Sequence, residues 1–126
     1  MELDFIPNIN EFGDNVIRLY NFDKVEATKF RDLVEETVVN ERQKLDLSTI
    51  DFIEPRNCNL VLALYKEDEG IISTDNQTFF CALTLGAFHD MIDLLEPFCK
   101  KNSKGHQYLY DLDNPNDFLF SPAGTW

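Results

Sequence analysis

CNLVLALYKEDEGIISTDNQTFFCALTLGAFHDMIDLL, residues 58–95, is the stretch whose reading decides the fold class. Cys58–Tyr65 places Cys58, Leu60, Leu62 and Leu64 on one side of an extended chain, and Val61, Ala63 and Tyr65 on the other. Side chains of a strand alternate between faces, so a run that is apolar on both sides predicts a central strand covered twice. Thr78–Leu83 repeats the pattern, with Phe79, Cys81 and Leu83 opposite Phe80 and Ala82. Lys66–Gln77 between them reads as a loop, with room for a short strand at Ile71–Thr74. No crossover helix fits in that interval, so the two strands are expected to pair as an antiparallel hairpin. After Leu83 the period changes. Leu85, Phe88, Met91, Ile92 and Leu95 recur at helical spacing, behind a Thr84 cap, and Pro97 is expected to end or kink the helix near Glu96.

The flanks extend this order. Upstream, Asp23 and Glu26 form an acidic capping pair for a helix over about Lys24–Arg42, whose stripe is Ala27, Phe30, Leu33, Val34 and Val38. Val16–Tyr20 reads as a strand, and residues 1–14, punctuated by Pro7, Asn8, Asn10 and Gly13, as an irregular lead-in. Leu45–Ile53 reads as a short strand or extended loop stopped by Pro55. Downstream, His106–Leu112 and Phe118–Phe120 read as strands around a turn at Asp113–Asp117 that holds Asn114, Pro115 and Asn116. The expected architecture is a single α+β domain over residues 1–126: a mixed or mainly antiparallel sheet of about five strands with two amphipathic helices packed on one face.

Composition bounds the function. A chain of 126 residues, 44% hydrophobic and with 11 Phe, supports one ordinary core despite a net charge of −12. No apolar run spans the hydrocarbon of a bilayer. Glu2 and Asp4 stand where an export signal needs basic residues, so a soluble, cytoplasmic protein is expected. Cys58, Cys81 and Cys99 cannot all pair, which suits buried free thiols. Acidity argues against nucleic-acid and membrane partners. Magnitude also counts against mimicry of a duplex. A net −12 over roughly 7,000 Å² averages about one charge per 600 Å², against about one per 100 Å² on duplex DNA.

Several residues invite a functional reading beside a plainer one. Asp111, Asp113 and Asp117, with Asn114 and Asn116, offer oxygen ligands on one turn. An EF-hand loop begun at Asp111 would need glycine and glutamate where Asn116 and Pro122 stand, so a solvated turn is the better reading. Glu67, Asp68 and Glu69 form a second acid group, suited to a basic partner or to keeping a sheet edge soluble. His89 lies beside Asp90 and Asp93 on the second helix, where an exposed histidine is ordinary. His106 and Cys81 are the minimum for thiol catalysis, but large apolar neighbours on Cys81 favour an inert thiol. No phosphate-binding loop, HExxH or CxxC occurs, and no cofactor or metal is expected.

The aromatics of the tail, with Tyr65, either fill the core or line an uncovered sheet face. The residues assigned to a partner surface are Glu67, Asp68, Glu69, Asp90, Asp93, Tyr108, Tyr110, Asp111, Asp113 and Trp126. The function favoured is a small acidic module, adaptor-like or inhibitor-like, that binds a basic protein. The alternatives are a small carboxylate- or His-dependent enzyme or metal-binding protein, and a structural homodimer or larger homo-oligomer.

Overall fold

In the computed structural model, which describes residues 1–124, the expected α+β class is observed, with the strands divided between two mixed sheets. Strands β1 (Glu2–Ile6), β2 (Asn15–Tyr20), β4 (Glu54–Pro55), β8 (Gln107–Tyr108) and β9 (Asn116–Ser121) form the first, in the order β4-β1-β2-β9-β8. Strands β3 (Leu45–Asp46), β5 (Asn59–Leu64), β6 (Gly70–Ile72) and β7 (Thr78–Leu83) form the second, in the order β3-β5-β7-β6.

Helix α1 (Lys24–Leu33) starts where Asp23 accepts a bond from the Glu26 N–H at 3.0 Å. It widens into π turns over Val34–Asn40, which bring Val34, Val38 and Val39 together on the buried side. The β-branched run Thr37-Val38-Val39 crowds an ordinary α turn, which favours the wider winding. Helix α2 (Leu85–Lys100) starts at Thr84, whose hydroxyl accepts from the Ala87 N–H.

Four local expectations need correction. Residues 1–14 are not wholly irregular: Leu3 and Phe5 alternate with Glu2 and Asp4, and β1 pairs with β2 as a hairpin. Pro97 does not end α2, because Phe98 is buried edge-on against Phe120, with centroids 5.2 Å apart, and draws one more turn into the core. Strand β5 pairs with β7 in parallel, not as a hairpin. The chain leaves β5, passes the end of β7, runs back along its far side as β6, and turns into β7 between them. Only Gln107–Tyr108 of the stretch 106–112 is strand, because Tyr110 turns inward instead of continuing the ladder.

The inner faces of both sheets and the buried stripes of both helices share one core. Phe120 lies among Phe22, Phe30 and Phe98, with centroids 4.2, 5.9 and 5.2 Å away. The two sheets are tied by the chain that Tyr110 leads across the edge of β6. Its hydroxyl accepts from the Ile71 N–H at 3.0 Å and donates to the carbonyl of Asn116. Asn114 donates to the carbonyls of Glu69 and Ile71, at 2.6 and 3.1 Å, and Asn116 donates to the carbonyl of Ile71 at 3.0 Å. Side chains thus satisfy the backbone groups that a strand edge leaves open. Gly70 allows the approach: its φ is +77°, and a Cβ there would stand 2.8 Å from Asn114 Nδ2 and 3.0 Å from the Tyr110 ring. Removing the hydroxyl leaves the Ile71 N–H buried without a partner. Tyr110→Phe is therefore expected to cost about 1–3 kcal/mol in urea unfolding. Tyr108→Phe, whose hydroxyl makes no bond among the described residues, should cost much less.

Candidate functional site

Turning Tyr110 inward opens a gap. The chain leaves the first sheet after Leu109, whose N–H still donates to the carbonyl of Phe118 at 2.8 Å, and a groove of about 640 Å³ lies between residues 107–112 and α2. That size is typical of ligand clefts. Leu83 at the end of β7, Ala87 and Leu94 of α2, and Leu109 and Leu112 of the tail make its apolar surface. Asp68, Asp90, Asp111 and Asp117 supply its carboxylates, and no Lys, Arg or His among the described residues lines it.

Each acid is placed by a different element. Asp68 belongs to the loop that passes the end of β7, and its carboxylate accepts from the Thr84 N–H at 2.8 Å. That bond adds a second acceptor at the start of α2, where anions are favoured. Asp90 lies one turn into α2, on the exposed side away from Phe88, Met91 and Ile92. Asp111 follows the buried Tyr110. Asp117 lies on β9 between Asn116 and Phe118, opposite Val16 of β2. None of the four is ion-paired among the described residues.

The charges act on one another. Partial burial, then the charges of Asp14 and Asp111, push the Asp117 carboxyl above its ordinary range. Partial burial and then Asp117 likewise raise the Tyr108 phenol. The carboxylates are strung along the groove rather than gathered at a point. Among the described residues, no three His, Cys, Asp or Glu side chains lie close enough to hold one metal ion. An apolar floor with unpaired acids at intervals suits an extended cationic ligand whose methylene chains lie on the leucines.

The structure brings together Asp68, Asp90, Tyr108, Tyr110 and Asp111 from the residues expected at a partner surface. Glu67, Glu69, Asp93 and Asp113 are exposed but do not line the groove, and Trp126 lies outside the described residues. Asp117 joins the site from the acidic turn. Its signal was the alternation along β9, which sends Phe118 and Phe120 inward and Asp117 to the other face. Of the two readings of the tail aromatics, Phe118 and Phe120 follow the core one: both are fully buried, and the Tyr110 hydroxyl is taken up by backbone.

The thiol–imidazole reading fails on placement. Cys81 is fully buried in β7, and burial holds its thiol well above the usual range. Burial, with Asp4 adding to it, pushes Cys58 up to about 12. His106 is exposed, its ring edge-on to Tyr108 at 6.1 Å, and His89 is exposed on α2. A second, more open groove of about 760 Å³ lies between α1 and residues 45–52, but Lys29 already offsets its acids in part and Asp32 is paired with Arg31.

The fold and site together define an acidic α+β domain with an uncompensated carboxylate groove. The chain matches no family model, no curated protein and no solved structure. No helix among the described residues is long and apolar enough to cross a membrane.

The groove sets a pH dependence. A carboxyl whose folded pKa is raised binds its proton more tightly in the folded state, so its contribution is fully present below the ordinary Asp range and is lost as pH rises through the folded value. Asp117→Asn is therefore expected to unfold at higher denaturant concentration than wild type at pH 7. The gap should close as pH falls below the ordinary carboxylate range. A gap that persists at low pH, or one of opposite sign, would contradict the placement of Asp117 among like charges.

Proposed function

We propose that this domain is a cytoplasmic binding module that takes a basic segment of a partner protein into the groove between α2 and residues 107–112. The observation that carries the reading is the set of four carboxylates around an apolar floor, with no ion pair to them and no cation lining the groove among the described residues. Such a surface speeds encounter with a positive partner and repels nucleic acid and anionic lipid. The net charge of −12 adds long-range steering of the same sign.

A homodimer is the second reading, carried by a separate surface. Ile72 and Phe80 face each other across β6 and β7, 45% and 39% exposed, on the outer side of the second sheet. The chain's own charge opposes that association, so the groove is preferred.

The test is capture from native lysate at low ionic strength by wild type, by Asp90→Asn/Asp111→Asn/Asp117→Asn, and by the charge-matched control Glu35→Gln/Glu36→Gln/Glu41→Gln. One basic protein should bind wild type and the control, be lost from the groove variant, and elute in about 1 M salt, where charge attraction reaches only about 3 Å. Equal capture by all three, or none by wild type, would remove this reading.

A further inference from the structure

Phe12 is 81% exposed, more than any other large hydrophobic residue among those described. It stands in the loop 7–14 that joins β1 to β2, and this loop is held by bonds rather than by packing. The Asn10 carboxamide oxygen accepts from the N–H groups of Phe12 and Asp14, at 2.9 and 3.2 Å, and its nitrogen donates to Asp14 Oδ2 at 2.9 Å. The Ile9 N–H donates to the carbonyl of Asp14 at 2.9 Å. These bonds restrain the chain that bears Phe12, and restraint of a binding loop lowers the entropy cost of association.

The loop is coupled to the groove. Asn15, at its end, donates from its backbone to the carbonyl of Pro115 at 2.7 Å and from its side chain to Asn116 Oδ1 at 2.8 Å. Asp117 follows in β9, and Asp14 lies near enough for its charge to act on it. The loop that bears Phe12 therefore meets β9 beside Asp117, which lines the groove, and Glu11 and Asp14 flank Phe12 in the chain.

The flanking acids choose the occupant. A second copy of the chain offers the open groove beside Phe52, but that groove carries Asp32, Glu36 and Asp51 against Lys29, and both copies are strongly acidic. An anionic lipid surface meets the same repulsion. A positive protein surface meets none. Interface energy concentrates in a few aromatic or arginine anchors that fill pockets, with charged neighbours around them.

We infer that Phe12 is the anchor of the partner interface, entering an apolar pocket on the basic partner that Lys or Arg side chains border. The inference rests on the groove being the partner site.

The experiment places the photoreactive residue p-benzoyl-phenylalanine at position 12, and separately at position 25, where Val25 is 54% exposed on α1. Each protein is irradiated in native lysate at low salt. One basic protein should be linked from position 12 and not from position 25. Phe12→Ala should weaken its binding at least tenfold with an unchanged unfolding midpoint, since the ring adds little to the core. Two results overturn the anchor alone and leave the groove: retention of that protein by Phe12→Ala at wild-type affinity while the triple Asp→Asn variant loses it, or equal labelling of many proteins from both positions. Absence of any basic protein bound by wild type removes the groove reading and the anchor with it.

Discussion

The Tyr110 hydroxyl, held between the backbone N–H of Ile71 and the carbonyl of Asn116, is the contact on which the rest of the arrangement depends. An exposed strand edge is open to pairing with other chains, and proteins close it in one of a few ways. Here side chains close it: one phenol and two carboxamides satisfy the edge of β6, and Gly70 gives them the space. The same contacts join the second sheet to β9 of the first. They also draw the chain beyond Leu109 away from its pairing with β9, and the gap beside α2 is the groove. Burial pushes the Tyr110 phenol above its ordinary range, so the hydroxyl stays protonated and can donate and accept at once.

Charge is distributed unevenly around this frame. Arg18 binds Asp4 through two bonds at 2.8 and 3.0 Å, Arg31 binds Asp32 and Glu96, and Arg56 binds Glu2 and Glu54. The partly exposed Arg31 and Arg56 pairs contribute roughly 0–1 kcal/mol each, the Arg18–Asp4 pair is better shielded, and all of them decide where uncompensated charge is left. They spend arginines on the first sheet and on the helix pair, away from Asp68, Asp90, Asp111 and Asp117. A modest net charge becomes a local field by this placement, not by density over the whole surface.

Much of the fold was legible because its signals are local. The stripes of α1 and α2 and the doubly apolar run of β5 need no partner to be read. The parallel pairing of β5 and β7 was not legible, because β6 is three residues inside a loop rich in acids, and only its place at the sheet edge reverses the chain. Strand β1 was obscured by Pro7 and Asn8 just beyond it, although Leu3 and Phe5 alternate with acids. At the site, Asp68, Asp90 and Asp111 were visible as acids, and Tyr108 and Tyr110 as rings. Their convergence depends on Tyr110 turning inward, and nothing within the stretch 106–112 distinguishes that from a continued strand. Asn114 and Asn116 looked like turn formers, and the contacts they make forty-odd positions back along the chain have no local signature.

The central claim is that the excess acid is functional at one place, the groove walled by α2 and residues 107–112. A titration of the ¹⁵N-labelled protein with a short lysine- and leucine-containing peptide, followed by amide chemical shifts, tests it most directly. Shifts are expected at residues 68, 87–94 and 107–117 and should shrink as salt is raised, with the acidic stretch 35–41 silent. Shifts of equal size along residues 35–41, or shifts that ignore salt, would contradict the claim.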